Sequence, residues 1–263
     1  SAASDVYKRQ VNYRFQMKVL FLSDLHLGAN YIANSRAHEN RVVDFLRHEG
    51  SDADHIYLLG DVLDYWYEYR TVVPRGFVRF FGELARLADS GVKITWMTGN
   101  HDIWLFDYLR DEIGMEVIDA PFIIREIGGQ RFLLAHGDRI GRTSAGFRFI
   151  CTLFRNRVCQ RMFSAVHPGL TVGFAKRWSH SSRENGTETE EQRSHHIDHI
   201  LTDANAIAAA NPGVEHIVHG HHHIAMTTPL DRGNTDLTVL GDWITQDTYA
   251  EFDGTKLELK RYK

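Results

Sequence analysis

The stretch Ile56-Tyr57-Leu58-Leu59-Gly60-Asp61-Val62-Leu63-Asp64 decides how the chain is read. A short apolar run bounded by glycine has the form of a strand buried on both faces of a mostly parallel sheet. Gly60 lets the backbone turn sharply where the strand ends. Asp61 and Asp64 then emerge at the carboxyl end of the strand, where open α/β sheets place their ligands. A lone strand-end Asp is commonly just a hydrogen-bonding residue. Here four more apolar runs end in the same way, in Asp24-Leu25-His26, Gly99-Asn100-His101-Asp102, His136-Gly137-Asp138 and His219-Gly220-His221-His222-His223.

Outward from this stretch the text alternates strand and helix. Val19 to Leu22 forms the first strand, and Asp24 and His26 follow at alternate spacing. If that segment stays extended, both side chains point one way and Leu25 points into the core. Helices are predicted over about 35–48, 76–90 and 103–112, with a third strand from Val92 to Thr98. From about 115 the text is β-rich. Gly128-Gly129 and Asp253-Gly254 read as hairpin turns, and the C-terminal strands are Ile217-Val218, Ala225–Thr228, Leu237–Leu240, Tyr249–Phe252 and Leu257–Tyr262. The fold class is therefore α/β, interrupted by a helical insertion over about 139–210. Residues 1–16 lack periodicity and read as a flanking extension, with Met17 as a native start, leaving one domain over 17–263.

At 263 residues, 43% hydrophobic and 24% charged, the chain has the composition of a soluble globular protein with one sizeable core. A net charge of −4 argues against nucleic acid as the bulk partner. Cys151 and Cys159 fall on one predicted helix, about 12 Å apart along its axis and too far for a disulfide. No secretory signal and no span of ~20 apolar residues is found, so the cytoplasm is the expected compartment.

The insertion has an unusual charge. Arg139, Arg142, Arg148, Arg155, Arg157, Arg161, Lys176, Arg177 and Arg183 are nine basic residues in a span without Asp or Glu. Phe147, Ile150, Cys151, Phe154, Val158, Met162 and Val166 recur at three- and four-residue steps, predicting one amphipathic basic helix that ends at Pro168-Gly169. A second helix is expected over 170–178 and a last one over about 192–210.

The strand-end donors are Asp24, His26, Asp61, Asn100, His136, His221 and His223. Seven nitrogen and oxygen ligands without a thiolate are too many for one ion and suit two divalent cations, with Mn2+ favoured and iron and zinc compatible. Two such cations would lower the pKa of a bound water and clamp phosphoryl oxygens. His219 and His222 fall outside this set.

These five motifs resemble those of the calcineurin-like metallophosphoesterases, over residues 23–223. The resemblance implies a two-sheet αββα sandwich. It implies one cation held by Asp24, His26, Asp61 and His223, and the other by Asp61, Asn100, His136 and His221. It also implies that His101 faces the leaving oxygen, with Asp64 holding its imidazole. The texts at 59–66, 99–104 and 240–243, with the helical insertion, are more narrowly similar to the UDP-2,3-diacylglucosamine pyrophosphatases of the Bacteroidetes type. That similarity implies cleavage of a UDP-diacyl sugar to UMP and lipid X in lipid A synthesis, by an enzyme peripheral on the inner membrane. His101 stands where better-known members carry Arg. Arg142, Arg148, Phe154 and the pair Ser182-Arg183, with Asn100, are the expected substrate contacts. Other readings are a soluble phosphodiesterase or nucleotide phosphatase of the same superfamily, and a metal-free scaffold for protein partners. The scaffold sits poorly with a complete ligand set, and no obligate protein partner is inferred.

Overall fold

A computed structural model describes residues 17–141, 145–169, 190–231 and 234–263. The strands are β1 (Val19–Leu22), β2 (His55–Leu59), β3 (Lys93–Met97), β4 (Glu116–Ile118), β5 (Ile123–Ile127), β6 (Gln130–Leu134), β7 (His216–His219), β8 (Ala225–Pro229), β9 (Asp236–Leu240), β10 (Thr248–Phe252) and β11 (Leu257–Arg261). The helices are α1 (Ser35–His48), α2 (Val78–Asp89), α3 (Tyr108–Ile113), α4 (Ala145–Arg155), α5 (Arg157–Ser164) and α6 (Glu190–Ala210). One sheet runs β11-β10-β1-β2-β3-β4 and the other β5-β6-β7-β9-β8. The pairs β1–β2, β2–β3 and β3–β4 are parallel, as are β6–β7 and β7–β9.

Alternation along β1 builds two layers at once. Val19 and Phe21 face the second sheet, where Phe21 stacks on Tyr57 and Phe132 at 5.3 and 5.7 Å. Leu20 and Leu22 face α1 and α2, among Val42, Phe45, Phe80 and Leu84. On the far side, Ile200, Ala204 and Ala208 of α6 cover Leu133, Ile217, Leu237 and Val239. The layers are thus helix, sheet, sheet, helix. α6 lies within the 139–210 span but packs as the outer layer of the second sheet. Fully burying a Phe or Leu side chain is worth about 1.5–3 kcal/mol, so this inter-sheet core fixes both sheets and the strand ends they carry.

The structure departs from the sequence reading in four places. The strand β4 was not anticipated; it is three residues long and pairs only along the sheet edge. The helix expected over 103–112 starts at Tyr108, because the buried Glu68 carboxylate accepts from the amides of Phe106, Asp107 and Tyr108 at 2.6, 2.9 and 3.2 Å. The basic helix is two helices. Asn156 leaves the helical conformation (φ −70°, ψ 124°) and caps α5 by accepting from the amides of Val158 and Cys159. Cys151 and Cys159 therefore lie on different helices. The segment 24–26 is not extended, since Asp24 and His26 have φ of 56° and 44°. Leu25 is nevertheless fully buried. Residues 1–16, the helix expected over 170–178, and Arg142, Ser182 and Arg183 lie outside the described residues.

Candidate metal centre

The side chains of all five strand-end motifs converge on one site at the carboxyl ends of β1, β2, β3, β6 and β7. Asp24, His26, Asp61, His221 and His223 all adopt the left-handed conformation, with φ between 44° and 70°. That region is uncommon for non-glycine residues and costs about 1–3 kcal/mol per residue. The surrounding bonds enforce it. Asp24 and His26 donate their amides to the carbonyls of Gly60 and Asp61 at 3.1 and 2.9 Å, and Asp24 accepts from the Trp243 amide. Two glycines make room. A Cβ on Gly60 would stand 2.6 Å from His136 Nδ1, and one on Gly99 would strike the Asp61 carboxylate.

Three donor groups result, each with ligand atoms within 4.8 Å of one another: Asp24, His26 and His223; His26, Asp61 and His101; Asp61, His136 and His221. Asp61 belongs to two of them. Its Oδ2 lies 3.4 Å from His136 Nε2, 3.7 Å from His26 Nε2 and 3.9 Å from His101 Nε2. His223 Nε2 is 3.4 Å from Asp24 Oδ1, and Asn100 Oδ1 is 3.2 Å from His136 Nε2. The seven donors singled out in the sequence are therefore together, and His101 stands among them.

The electrostatics fit cations. Asp24 Oδ1 is fully buried with no hydrogen-bond partner. Burial works to raise Asp61, yet the neighbouring His136 and His101 hold its carboxyl well below the usual range. Burial also works to lower His136, yet the carboxylates of Asp61, Asp24 and Asp138 push its imidazole well above its usual value. The cradle thus demands positive charge. Divalent cations answer that demand while leaving the imidazoles neutral, as ligation requires. His221, lowered to about 3 by burial and by His136, is already neutral.

Orienting groups complete the site. His136 Nδ1 donates to the Leu59 carbonyl at 2.8 Å, which turns Nε2 toward Asp61. The Asp64 carboxylate lies 3.3 Å from His26 Nδ1 and accepts from Tyr31 at 3.4 Å. His101 Nδ1 donates instead to the Asp64 backbone carbonyl at 3.1 Å, with the carboxylate 3.6 Å away. The expected partnership of Asp64 and His101 is thus present, but its closest contact is main-chain.

Several residues were missed. Asp242, after β9, lies 3.5 Å from His223 Nδ1. Burial works to raise its carboxyl, but His223 and the Thr245 and Ile244 amides bring it to about 2. Its signal was Leu240-Gly241-Asp242, a strand end of the same form as Leu59-Gly60-Asp61. Asp102, fully buried, accepts from the amides of Val62 and Gly99 and from Trp96 Nε1, tying two motif turns together. His38 reaches the Leu25 carbonyl at 2.7 Å, and no sequence feature marked it. His219 is buried behind the site, and His222 pairs with His196 of α6 at 3.0 Å.

The insert lies beside this site. Phe154 and Phe163 pack on Trp104 at 5.6 and 4.6 Å, and Trp104 Nε1 donates to the Phe154 carbonyl. Val158 and Met162, expected on the same stripe as Phe154, face outward because the break at Asn156 resets the helical phase. Arg148 is exposed.

Comparison with known proteins gives consistent findings. The family model described as calcineurin-like phosphoesterase matches residues 17–225. The chain is 38% identical to a UDP-2,3-diacylglucosamine hydrolase of Porphyromonas gingivalis, with 92% of this chain and 97% of that protein covered. It is 27% identical to a protein of the same name from Xanthomonas oryzae pv. oryzae, covering 94% and 99%. Among solved structures, an archaeal phosphodiesterase aligns over 93% of this chain and 99% of its own, at 15% identity and a TM-score of 0.47.

Proposed function

This chain belongs to the calcineurin-like phosphoesterase family, and we propose that it hydrolyses the diphosphate of UDP-2,3-diacylglucosamine to UMP and 2,3-diacylglucosamine 1-phosphate. The observation that carries this reading is the nearly end-to-end 38% identity with the P. gingivalis hydrolase, in a chain whose seven strand-end donors lie together.

Two cations, Mn2+ first among them, would be held by Asp24, His26, Asp61 and His223 and by Asp61, Asn100, His136 and His221. When bound they supply a water of lowered pKa and neutralise charge on the phosphoryl oxygens. The chain's own residues do the rest. The left-handed turns at Asp24, Asp61 and His221 aim their side chains at one point, and buried carbonyls fix the imidazole tautomers. His101, steered by the Asp64 carbonyl, presents Nε2 beside Asp61. From there it stabilises charge on the leaving oxygen. The leaving group is a phosphate monoester, stable as an anion, so electrostatic stabilisation is the larger part of that role.

The insert supplies the lipid side of the site. Phe154 lines it from α4, and Arg142, Arg148, Ser182 and Arg183 meet diphosphate or uridine. Its outer surface exposes Phe149 (69%), Val158 (64%) and Met162 (70%), and Arg157 and Arg161 are exposed on the same helices. Apolar side chains set among arginines suit an anionic membrane surface. No described helix is long and apolar enough to cross a membrane, and we place the protein in the cytoplasm, peripheral on the inner membrane. The test is incubation of purified protein and Mn2+ with the UDP-diacyl sugar. UMP and the lipid 1-phosphate should appear, and chelator should stop them. Hydrolysis of small diesters alone would make the protein a soluble phosphodiesterase.

A further inference from the structure

Arg155 ends α4, and its side chain is only 15% exposed, whereas Arg148, Phe149 and Leu153 of the same helix are exposed. It points toward the sheet. Its Nε donates to Asp119 Oδ1 at 3.0 Å and its Nη2 to the Gly99 carbonyl at 3.3 Å. Nη2 also lies 3.9 Å from Asp138 Oδ2, a buried oxygen with no hydrogen-bond partner. Asp119 follows the short strand β4 and collects two further donors, Thr98 Oγ1 at 3.0 Å and Arg139 Nη2 at 2.7 Å. Thr98 and Gly99 open the turn that presents Asn100 and His101. Asp138 lies two residues after His136. One guanidinium from the insert therefore bonds Asp119 and Gly99 at one edge of the cradle, through a planar fork a lysine cannot reproduce, and faces Asp138 at the other edge as an ion pair.

We infer that Arg155 is a positioning residue: with Asp119 as its anchor, it couples docking of the insert to the placement of Asn100 and His101. This rests on the proposed roles of those two residues. The ion pair to Asp138 gives the coupling a direction. Movement of α4 toward the sheet by under ~1 Å would bring Nη2 within hydrogen-bond reach of Oδ2. Substrate seated under the insert would then tighten the turn that does the chemistry.

The test compares Arg155→Ala, Arg155→Lys, Asp119→Asn and the Arg155→Ala/Asp119→Asn pair. In metal-free protein, amide exchange at Gly99 and His101 should quicken roughly tenfold in the Ala variant. With Mn2+ and bis(p-nitrophenyl) phosphate, kcat should fall roughly tenfold at unchanged KM, and the double variant should lose little more than either single one. Electron paramagnetic resonance should show one of two Mn2+ ions weakened. Arg155→Lys should stay near the Ala variant, since charge alone does not make both contacts. Unchanged exchange, strictly additive losses, a change confined to KM, or full rescue by lysine would each overturn the inference. A wild-type protein that binds no Mn2+ would defeat the metal reading instead, and the exchange measurement would still judge Arg155.

Discussion

The strand-end cradle and the helical insert meet around Trp104 and Arg155, and they are held by different forces. The cradle stands on two sheets whose shared core includes Phe21, Phe132, Leu134 and Val218, all fully buried. Its turns are cross-tied by Asp102, and the left-handed Asp24 and His26 are held by the carbonyls of Gly60 and Asp61. Among the described residues, α4 and α5 rest on one aromatic cluster and on polar contacts that include Trp104 to the Phe154 carbonyl, Tyr67 to the Gln160 carbonyl at 2.6 Å, and Arg155 to Asp119. Strain at the cradle is supportable because the core over-determines it. We propose that general chemistry belongs to the cradle and substrate choice to the insert.

The sharpest way to break that division is Asp61→Ala. Asp61 is shared between two donor groups, so both metal sites should fail and kcat should drop to background on every diester. Measurable activity on a small chromogenic diester would show that the cradle is not the common centre. Asp242→Asn should be milder. It weakens the carboxylate that steers His223, and loss of such an orienting partner costs about 10–100-fold in metal affinity or activity. Titrating Mn2+ against rate should reveal it, again equally on both substrates.

Insert variants should separate the substrates. Phe154→Ala removes an edge-to-face contact with Trp104, worth about 0.5–1.5 kcal/mol beyond area. KM for the diacyl substrate should rise up to ~10-fold, while the small diester is hydrolysed at nearly the wild-type rate. Equal loss on both would mean that the insert is part of the cradle's frame. The smallest effect on catalysis is expected from Arg157→Glu with Arg161→Glu, on the outer surface. Each Arg near an anionic surface contributes about 1 kcal/mol, so cosedimentation with anionic vesicles should weaken and turn over to soluble protein as salt rises. Small-diester turnover should not change.

The same contrast explains what was legible in the sequence. The cradle is written locally. Each donor follows its own apolar run, so Asp24, Asp61, His136 and the His221–His223 run could be found one strand at a time. Asp242 carried the same local signal in Leu240-Gly241-Asp242, but its pairing with His223 and the role of Asp119 exist only across space. Asp242 meets His223 from another strand end, and Asp119 ends a strand too short to show periodicity. In the insert the apolar spacing was real, but a single Asn156 changed the face on which Val158 and Met162 sit. Periodicity carries no information about a helix break that one side chain caps. The start of α3 was missed for a similar reason, since Glu68 caps it from 40 residues away.

The most direct test of the account is turnover of the UDP-diacyl sugar by the Mn2+-loaded protein in ¹⁸O-water, with both products weighed by mass spectrometry. In the proposed pose the nucleoside-bearing phosphorus sits at the cradle and the acylated sugar under the insert. It predicts one ¹⁸O atom in UMP and none in the 2,3-diacylglucosamine 1-phosphate. Label in the lipid phosphate would reverse the pose and contradict the assignment of the two regions.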